Sequence, residues 1–424
     1  MTSTGFLSLQ QQESPAQTLS YTPCQPYNND NDEDGGGMHD NNNRKLLVDL
    51  VRDHHSLYFM EHRDRPNVVA RVLVTLHELG ASNDQLARVY DQLYAELTPL
   101  RMAPIQIDEN NWQEYLGNPI YYGNYLDFFD KQLETHGMEG VVERYLYDSV
   151  LLYSVGSQLQ PLVHLAFGIE QRLPLVVTQG LAYLASTFLD VSELTTIHND
   201  NNDDTNATFW NDEQLLFDLV GADRRFGGKI DGSNTFHSAV KVLLKSKSDL
   251  LKTYLFEWTK RNRHQTLQQR LDELVAMSVR LITYSSHQQR VGAIELDWFL
   301  GGGQLLSSAL AIQTLINHAP SHVNIMMPLV NLQFLATLCT YIVQGRPRDM
   351  GASASLFSST TSFTWEQCVA TIVESADPKA ILTLQALKKA QDQHPADTHL
   401  YLQTANFLAH FAQNGTWVKG GIGW

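Results

Sequence analysis

Cysteine is scarce in this chain. The three copies among 424 residues, Cys24, Cys339 and Cys368, lie far apart and form no CxxC pair. An odd, scattered set excludes a disulfide framework and a cysteine-based zinc site, and a reducing compartment, the cytoplasm, is the expectation. Positive charge is short as well: 30 basic residues face 46 acidic ones for a formal charge of −16. A role that depends on neutralising phosphates, in nucleic acid or on an anionic membrane, is therefore disfavoured. Several catalytic signatures are missing too. There is no GxGxxG after a strand, no GxxxxGK[ST], no GxSxG elbow and no HExxH. The triplets Gly35-Gly36-Gly37 and Gly301-Gly302-Gly303 lack the spacing and strand context that cradle a dinucleotide, so a flavin held in its own Rossmann domain is not expected. No basic start followed by an unbroken apolar stretch opens the chain, and no secretory signal is read there. The longest apolar run, Ile325 to Val343, is interrupted by Pro328, Asn331, Gln333, Thr337 and Thr340. It reads as a buried helix and not as a membrane span.

What remains is a globular composition, 43% hydrophobic and 18% charged, with ample chain for a sizeable core. Residues 1–43 form a low-complexity arm of Gln, Asn, Asp and Gly tracts, too poor in apolar groups to offset the cost of ordering, and are expected to be disordered. Residues 44–424 read as one large all-α domain. Lys45 to His62, Asn67 to Leu79, Asn83 to Leu97 and Tyr122 to Gly137 carry amphipathic spacing. In Thr266 to Tyr284 the residues Leu267, Leu271, Leu274, Val275, Leu281 and Ile282 fall on one face. A helical hairpin near the end is broken at His394-Pro395. No run of alternating strands stands out, and the stretches 195–212 and 345–364 read as long surface loops.

Histidine is abundant, with 16 copies, and helices can turn several toward one interior as metal ligands. His55 and His62, seven apart, would share a helical stripe, and so would His399 and His410, eleven apart. His198-Asn199-Asp200 matches the HxD half of a two-histidine, one-carboxylate iron site, but chance in an Asn/Asp-rich loop is the better reading. His164 is the most informative: it sits between Val163 and Leu165 in an apolar segment, with Glu170 six residues on. Burial there obliges its ring to find a hydrogen-bond partner or a ligand role.

The segment Gln160-Pro-Leu-Val-His164-Leu-Ala-Phe-Gly-Ile-Glu170 resembles the HPLIHLGYGLE signature of the questin oxidase-like family, the AflY-type oxidoreductases of aromatic polyketide metabolism. Three further stretches agree in order: His54-His55-Ser-Leu-Tyr-Phe with Leu76-His-Glu-Leu-Gly-Ala-Ser82, Tyr121-Tyr-Gly-Asn-Tyr-Leu-Asp-Phe-Phe129, and Asp297-Trp-Phe-Leu300. The resemblance runs from about Leu46 to the C-terminus. It implies an all-helical, flavin-independent oxidoreductase that oxygenates an aromatic polyketide or anthraquinone-type ring in a Baeyer-Villiger-like step, with NADPH as donor. Non-haem iron is further implied for some members, because activating dioxygen against a closed-shell substrate calls for a redox metal or a flavin. Carried over residue by residue, His164 is the catalytic candidate and His54, His55 and His164 are the metal candidates.

The sequence departs from the family pattern at several histidines. The HNH…HH run is here Pro66-Asn67-Val68, then Arg71-Val72; the first histidine of HPLIH is Gln160; the one after DFFLM is Gly302. A DPH…K-like motif reads Asp377-Pro378-Lys379 with Leu382 at the later lysine position. Two other readings stand beside the oxygenase. One is a catalytically eroded homologue that binds a hydrophobic small molecule or a protein partner, since Val68, Val72 and Gly302 suit an apolar cavity. The other is a scaffold whose acidic arm and loop recruit basic partners, against which the arm as a plain solubilising tail is the blander account.

Overall fold

Apolar residues three and four apart, closed by polar caps, set the helices of this chain; the computed structural model describes residues 38–196, 211–230, 235–288, 294–348 and 362–423. In order these are α1 (Met38–His55), α2 (Val69–Glu78), α3 (Asn83–Tyr94), α4 (Tyr122–Val142), α5 (Gln160–Glu170), α6 (Pro174–Ser186) and a single turn α7 (Ser192–Thr195). There follow α8 (Phe236–Arg261), α9 (Leu267–Tyr284), α10 (Gln304–His318), α11 (Val323–Val343), α12 (Trp365–Ser375), α13 (Pro378–Gln393) and α14 (Thr398–Asn414). The class is all-α, as the periodicity predicts. Ser82, Thr266 and Thr364 open α3, α9 and α12 with capping boxes, each hydroxyl accepting from the backbone N–H of a glutamine whose side chain accepts in return. The arm of residues 1–43 lies outside the described residues except for Met38 to Asn43, which begin α1. The Asn/Asp-rich stretch around His198 also lies outside them.

The first expected helix ends early. Lys45 to His62 was one amphipathic segment by pattern, whereas α1 stops at His55 and the chain turns into a small antiparallel hairpin, β1 (Glu61–His62) with β2 (Arg65–Pro66). Arg63 and Asp64, both left-handed at φ 51° and 59°, make its turn. Pro66 has no N–H to continue a helix. His62 is consequently exposed on a strand, and the His55/His62 stripe does not exist. A second sheet, β3 (Ser286–Gln288), β4 (Ile294–Asp297) and β5 (Thr416–Val418), pairs β3 with β4 antiparallel and β4 with β5 parallel. Strands of two to four residues are too short to show alternation in a sequence.

Helix α11 carries the long apolar run and is buried on every side: 83% of its most apolar 18-residue window lies inside the protein. Trp258 of α8 stacks on Phe334 at 4.4 Å. The amide nitrogens of the polar interruptions are bonded internally, Asn331 and Gln333 donating to the carbonyls of Thr195 and Leu305 at 2.9 Å.

Two apolar clusters make the core. One gathers α4, α5, α6, α8 and α11 around Phe129, Leu165, Tyr183 and Trp258. The other gathers α2, α9, α10, α13 and α14 around Val72, Leu76, Leu310 and Phe411. Polar side chains collect where α2 and α13 of the second cluster meet α5 of the first. Helices α5 and α6 approach at backbone distance, because a Cβ on Gly180 would stand 2.9 Å from Leu165 Cα and one on Gly168 2.9 Å from Val177 N. The chain enters α5 through Ser157, Gln158 and Leu159, three consecutive left-handed non-glycine residues (φ 48°, 53° and 60°). Such a conformation costs on the order of 1–3 kcal/mol per residue. Gln158 is held there by donating to the Phe299 carbonyl at 2.8 Å and by accepting from Gln304 Nε2 at 3.0 Å.

Candidate active site

The three candidate histidines separate into different surroundings. His54 points into a cluster of tyrosines at the end of α1, bonded to Tyr90 Oη at 3.1 Å, with Tyr58 and Tyr94 against its ring. His55, one residue on, turns inward, and its Nε2 meets Asp130 at 2.8 and 3.0 Å. Thr178 of α6 donates to the same carboxylate at 2.7 Å. His164 is buried, with Nε2 3.1 Å from Gln179 Oε1. That oxygen only accepts, so the ring proton sits on Nε2 and Nδ1 keeps an unshared lone pair without a partner. Burial, helped by the nearby charges of Arg71 and His55, pushes His164 down to about 3. At neutral pH it is an uncharged acceptor. His399 faces water and His410 stacks on Phe363 at 4.7 Å, so the last helix brings neither to this interior.

Among the described residues no three histidine, cysteine or carboxylate side chains converge as a metal would require. His54, His55 and His164 do not gather: the first belongs to the tyrosine cluster, while the other two bond Asp130 and Gln179 through Nε2 and keep Nδ1 without a partner.

Around His164 the interior is polar in a way that His-based reasoning missed. Arg71 of α2 is 7% exposed and donates through Nη2 to Gln160 Oε1 at 2.8 Å. Its charge bears on His164, Tyr183 and Lys379. Tyr183 of α6 donates to Glu61 of β1 in a very short bond. Ser157 lies beside both, and burial lifts the Glu61 carboxyl. Lys379, at the start of α13, holds its Nζ 4.3 Å from the Trp298 ring centroid and 5.8 Å from that of Trp417. Burial brings its ammonium down to about 8. Asp297, at the end of β4, is fully buried and raised to about 7 by burial, against the opposing pull of the Leu300 and Phe299 N–H groups, each 2.9 Å from Oδ1. Asp297 and Lys379 feel each other's charge and both change state near neutrality, the range in which a proton carrier works.

A groove of about 350 Å³ opens onto this interior between α2, α5, α10 and α13. Val163, Ala166, Phe167, Leu310 and Leu382 make its apolar walls, and Arg71 contributes to its lining. A groove between helices with apolar walls and a buried cation at its edge is the form of a small-molecule site. Comparison with known proteins sharpens the class. The family model described as questin oxidase-like matches residues 66–396, most of the chain, and the chain belongs to that family. Among curated relatives, the Baeyer-Villiger oxidase notM of Aspergillus sp. (strain MF297-2) is 27% identical over 150 residues, 34% of this chain and 32% of the relative. Questin oxidase of Aspergillus terreus is 25% identical over 151 residues, 33% of this chain and 34% of the relative. Oxidoreductase AflY of Aspergillus parasiticus is 28% identical over 148 residues, 32% and 30% respectively. The alignments thus span about a third of the length of each relative.

The positions at which this sequence departs from the family histidines are neighbours in space. Arg71 bonds Gln160. A Cβ on Gly302 would stand 2.5 Å from Lys379 Cδ and 2.7 Å from its Nζ, so the lysine fills the space a side chain at 302 would take. Arg71 and Lys379 repel each other electrostatically. Four of the departures, Arg71 with Gln160 and Gly302 with Lys379, thus adjoin in pairs.

Proposed function

We propose that this protein is a questin oxidase-like oxidoreductase that inserts one oxygen atom into a ring ketone of an aromatic polyketide or anthraquinone-type substrate, using dioxygen and NADPH and no flavin. In this Baeyer-Villiger-like reaction the bond between the carbonyl carbon and a ring carbon breaks and two C–O bonds replace it. The second oxygen atom leaves as water, with the hydride of NADPH and one proton supplying the reduction. The observation that carries the reading is the family match over residues 66–396 together with the polar interior those residues enclose. Relatives bearing the names Baeyer-Villiger oxidase and questin oxidase support the reaction type.

The described residues contain no parallel sheet flanked by helices of the kind that seats a dinucleotide, and no seat for NADPH is assigned. Activation of dioxygen is not assigned to a group of this chain, because the described residues gather no three histidine, cysteine or carboxylate side chains around one point. The chain's own contribution is placement and proton handling. Apolar walls receive the ring system and exclude water. Arg71 is the polar group that meets the substrate in the groove, and the Asp297 carboxyl with the Lys379 amine, behind its wall, handles the proton consumed in the reduction. The test is oxygen uptake and NADPH oxidation by purified protein with a hydroxylated anthraquinone: coupled consumption is expected, and neither signal appearing counts against the assignment.

A second reading, an eroded homologue that binds a hydrophobic compound without turnover, is favoured by one observation: the histidines do not gather. Thermal stabilisation by an aromatic ligand, unchanged by exhaustive chelation and accompanied by no oxygen uptake, would select it.

A further inference from the structure

Arg71 is a buried cation without a counterion. Its Nη2 is spent on the Gln160 amide, its Nε is buried with no acceptor, and among the described residues no carboxylate forms an ion pair with it. Of the carboxyls in this interior, Glu61 is held by Tyr183, and Asp377 and Asp297 act on Lys379. An interior charge left in this state destabilises a fold, and an apolar replacement would serve packing as well. Its presence calls for a partner that arrives from outside.

The groove supplies the route. Along α2 the residues Arg71, Thr75 and Glu78 form one stripe of it, and α13 contributes Leu382, Ala386 and Lys389 with the same spacing. At one end Lys389 pairs with Glu170, which also takes the Thr314 hydroxyl, and Gln385 donates to Glu78 at 2.7 Å. That end is a satisfied polar rim. The opposite end, one helical turn past Val163 and Leu382, is closed by Arg71, with the Lys379 ammonium adding positive charge behind it. Between the two ends the walls are mostly apolar, with the Thr75 and Ser307 hydroxyls the neutral donors along them, so Arg71 is the one cation at its end of the lining.

From this arrangement we infer that the groove recognises a flat, apolar ring compound bearing one anionic oxygen, a phenolate or carboxylate, which is seated against the guanidinium of Arg71. The inference takes the aromatic body from the proposed function and adds the charge and its orientation. An anionic oxygen accepts from the orphaned Nε and from the second N–H of Nη2 in a charge-assisted pair, which a point-like ammonium cannot reproduce. A neutral ring of the same shape leaves the guanidinium desolvated and unpaired.

Calorimetric titration of the full chain with anthraquinone-2-carboxylate and with its methyl ester tests this directly. The wild-type protein should bind the acid at least about tenfold more tightly than the ester. In Arg71→Gln, with its circular dichroism unchanged, the two should bind within about threefold of each other. Equal affinities in the wild type, or a preference that survives in Arg71→Gln, overturn the inference. Should Arg71→Gln fail to fold, Leu382→Trp fills the groove and leaves Arg71 in place: the acid should no longer bind, and retained binding overturns the inference equally. The readout needs neither NADPH nor oxygen. Absence of turnover beside an intact acid preference would remove the oxygenase reading and leave this one standing, whereas turnover with no acid preference would do the opposite.

Discussion

His164 and Asp297 act on stability with opposite sign as pH changes. Burial takes His164 from 6.5 to about 3, so between those values the unfolded chain holds a proton that the folded chain refuses, and stability falls as pH drops. Burial takes Asp297 from 3.8 to about 7; there the folded chain holds the extra proton, and stability falls as pH rises. Each slope is at most about 1.4 kcal/mol per pH unit. They oppose each other from about pH 4 to about pH 6.5, so each substitution should unmask the other group. Relative to wild type, His164→Gln should gain stability at pH 4.5 over pH 6.5, and Asp297→Asn should lose it. Urea midpoints across that range check this, and a shift of both variants in the same direction contradicts the assignments. The buried pair of His55 and Asp130, bridged by Thr178, gives a simpler expectation. Asp130→Ala leaves the imidazole without its acceptor and the Thr178 hydroxyl with the Leu175 carbonyl alone, and should cost about 3–5 kcal/mol in urea unfolding. A loss under about 1 kcal/mol would show that the pair is dispensable.

Helix pairs position these residues, and the tightest pair is α5 with α6. Gly180→Ala would drive a methyl group into Leu165 Cα, a backbone atom that moves only with its helix. A loss of about 1–3 kcal/mol is expected from overpacking, read as a fall in melting temperature. Parting the helices also separates His164 from Gln179. A capping test is milder: Thr266→Ala removes the box that starts α9 and should cost about 1 kcal/mol. Elements with both a cap and an apolar stripe were legible from sequence: the expected helix over Thr266 to Tyr284 is α9 with Thr266 as its cap, and the hairpin broken at His394-Pro395 is α13 and α14. The early end of α1 was not, because polar and apolar spacing continues through Glu61 and His62 while backbone turning at Arg63 and Asp64 decides the structure. The β3-β4-β5 sheet was hidden for another reason: β5 reaches β4 from more than a hundred residues away, and neither strand is long enough to announce itself.

At the scale of the whole molecule, the all-helical class and the family could be read from the pattern, while the interior could be read only in fragments. His164 was marked by its apolar neighbours and is indeed buried beside polar groups. His54 was carried along with His55, although adjacent positions on a helix point some 100° apart, and only His55 faces inward. Arg71, Gln160, Gly302 and Lys379 entered as departures from a motif; nothing in the chain order shows that they adjoin. Tyr183 and Glu61, 122 residues apart, left no signal at all. The central claim is that this interior carries out oxygen insertion on a ring ketone. Its most direct measurement is mass spectrometry of the product formed from a hydroxylated anthraquinone, NADPH and oxygen-18 gas. One labelled oxygen per product molecule, matched by one NADPH oxidised, is the predicted result; product without label, or no product beside clear binding of the ring compound, would contradict it.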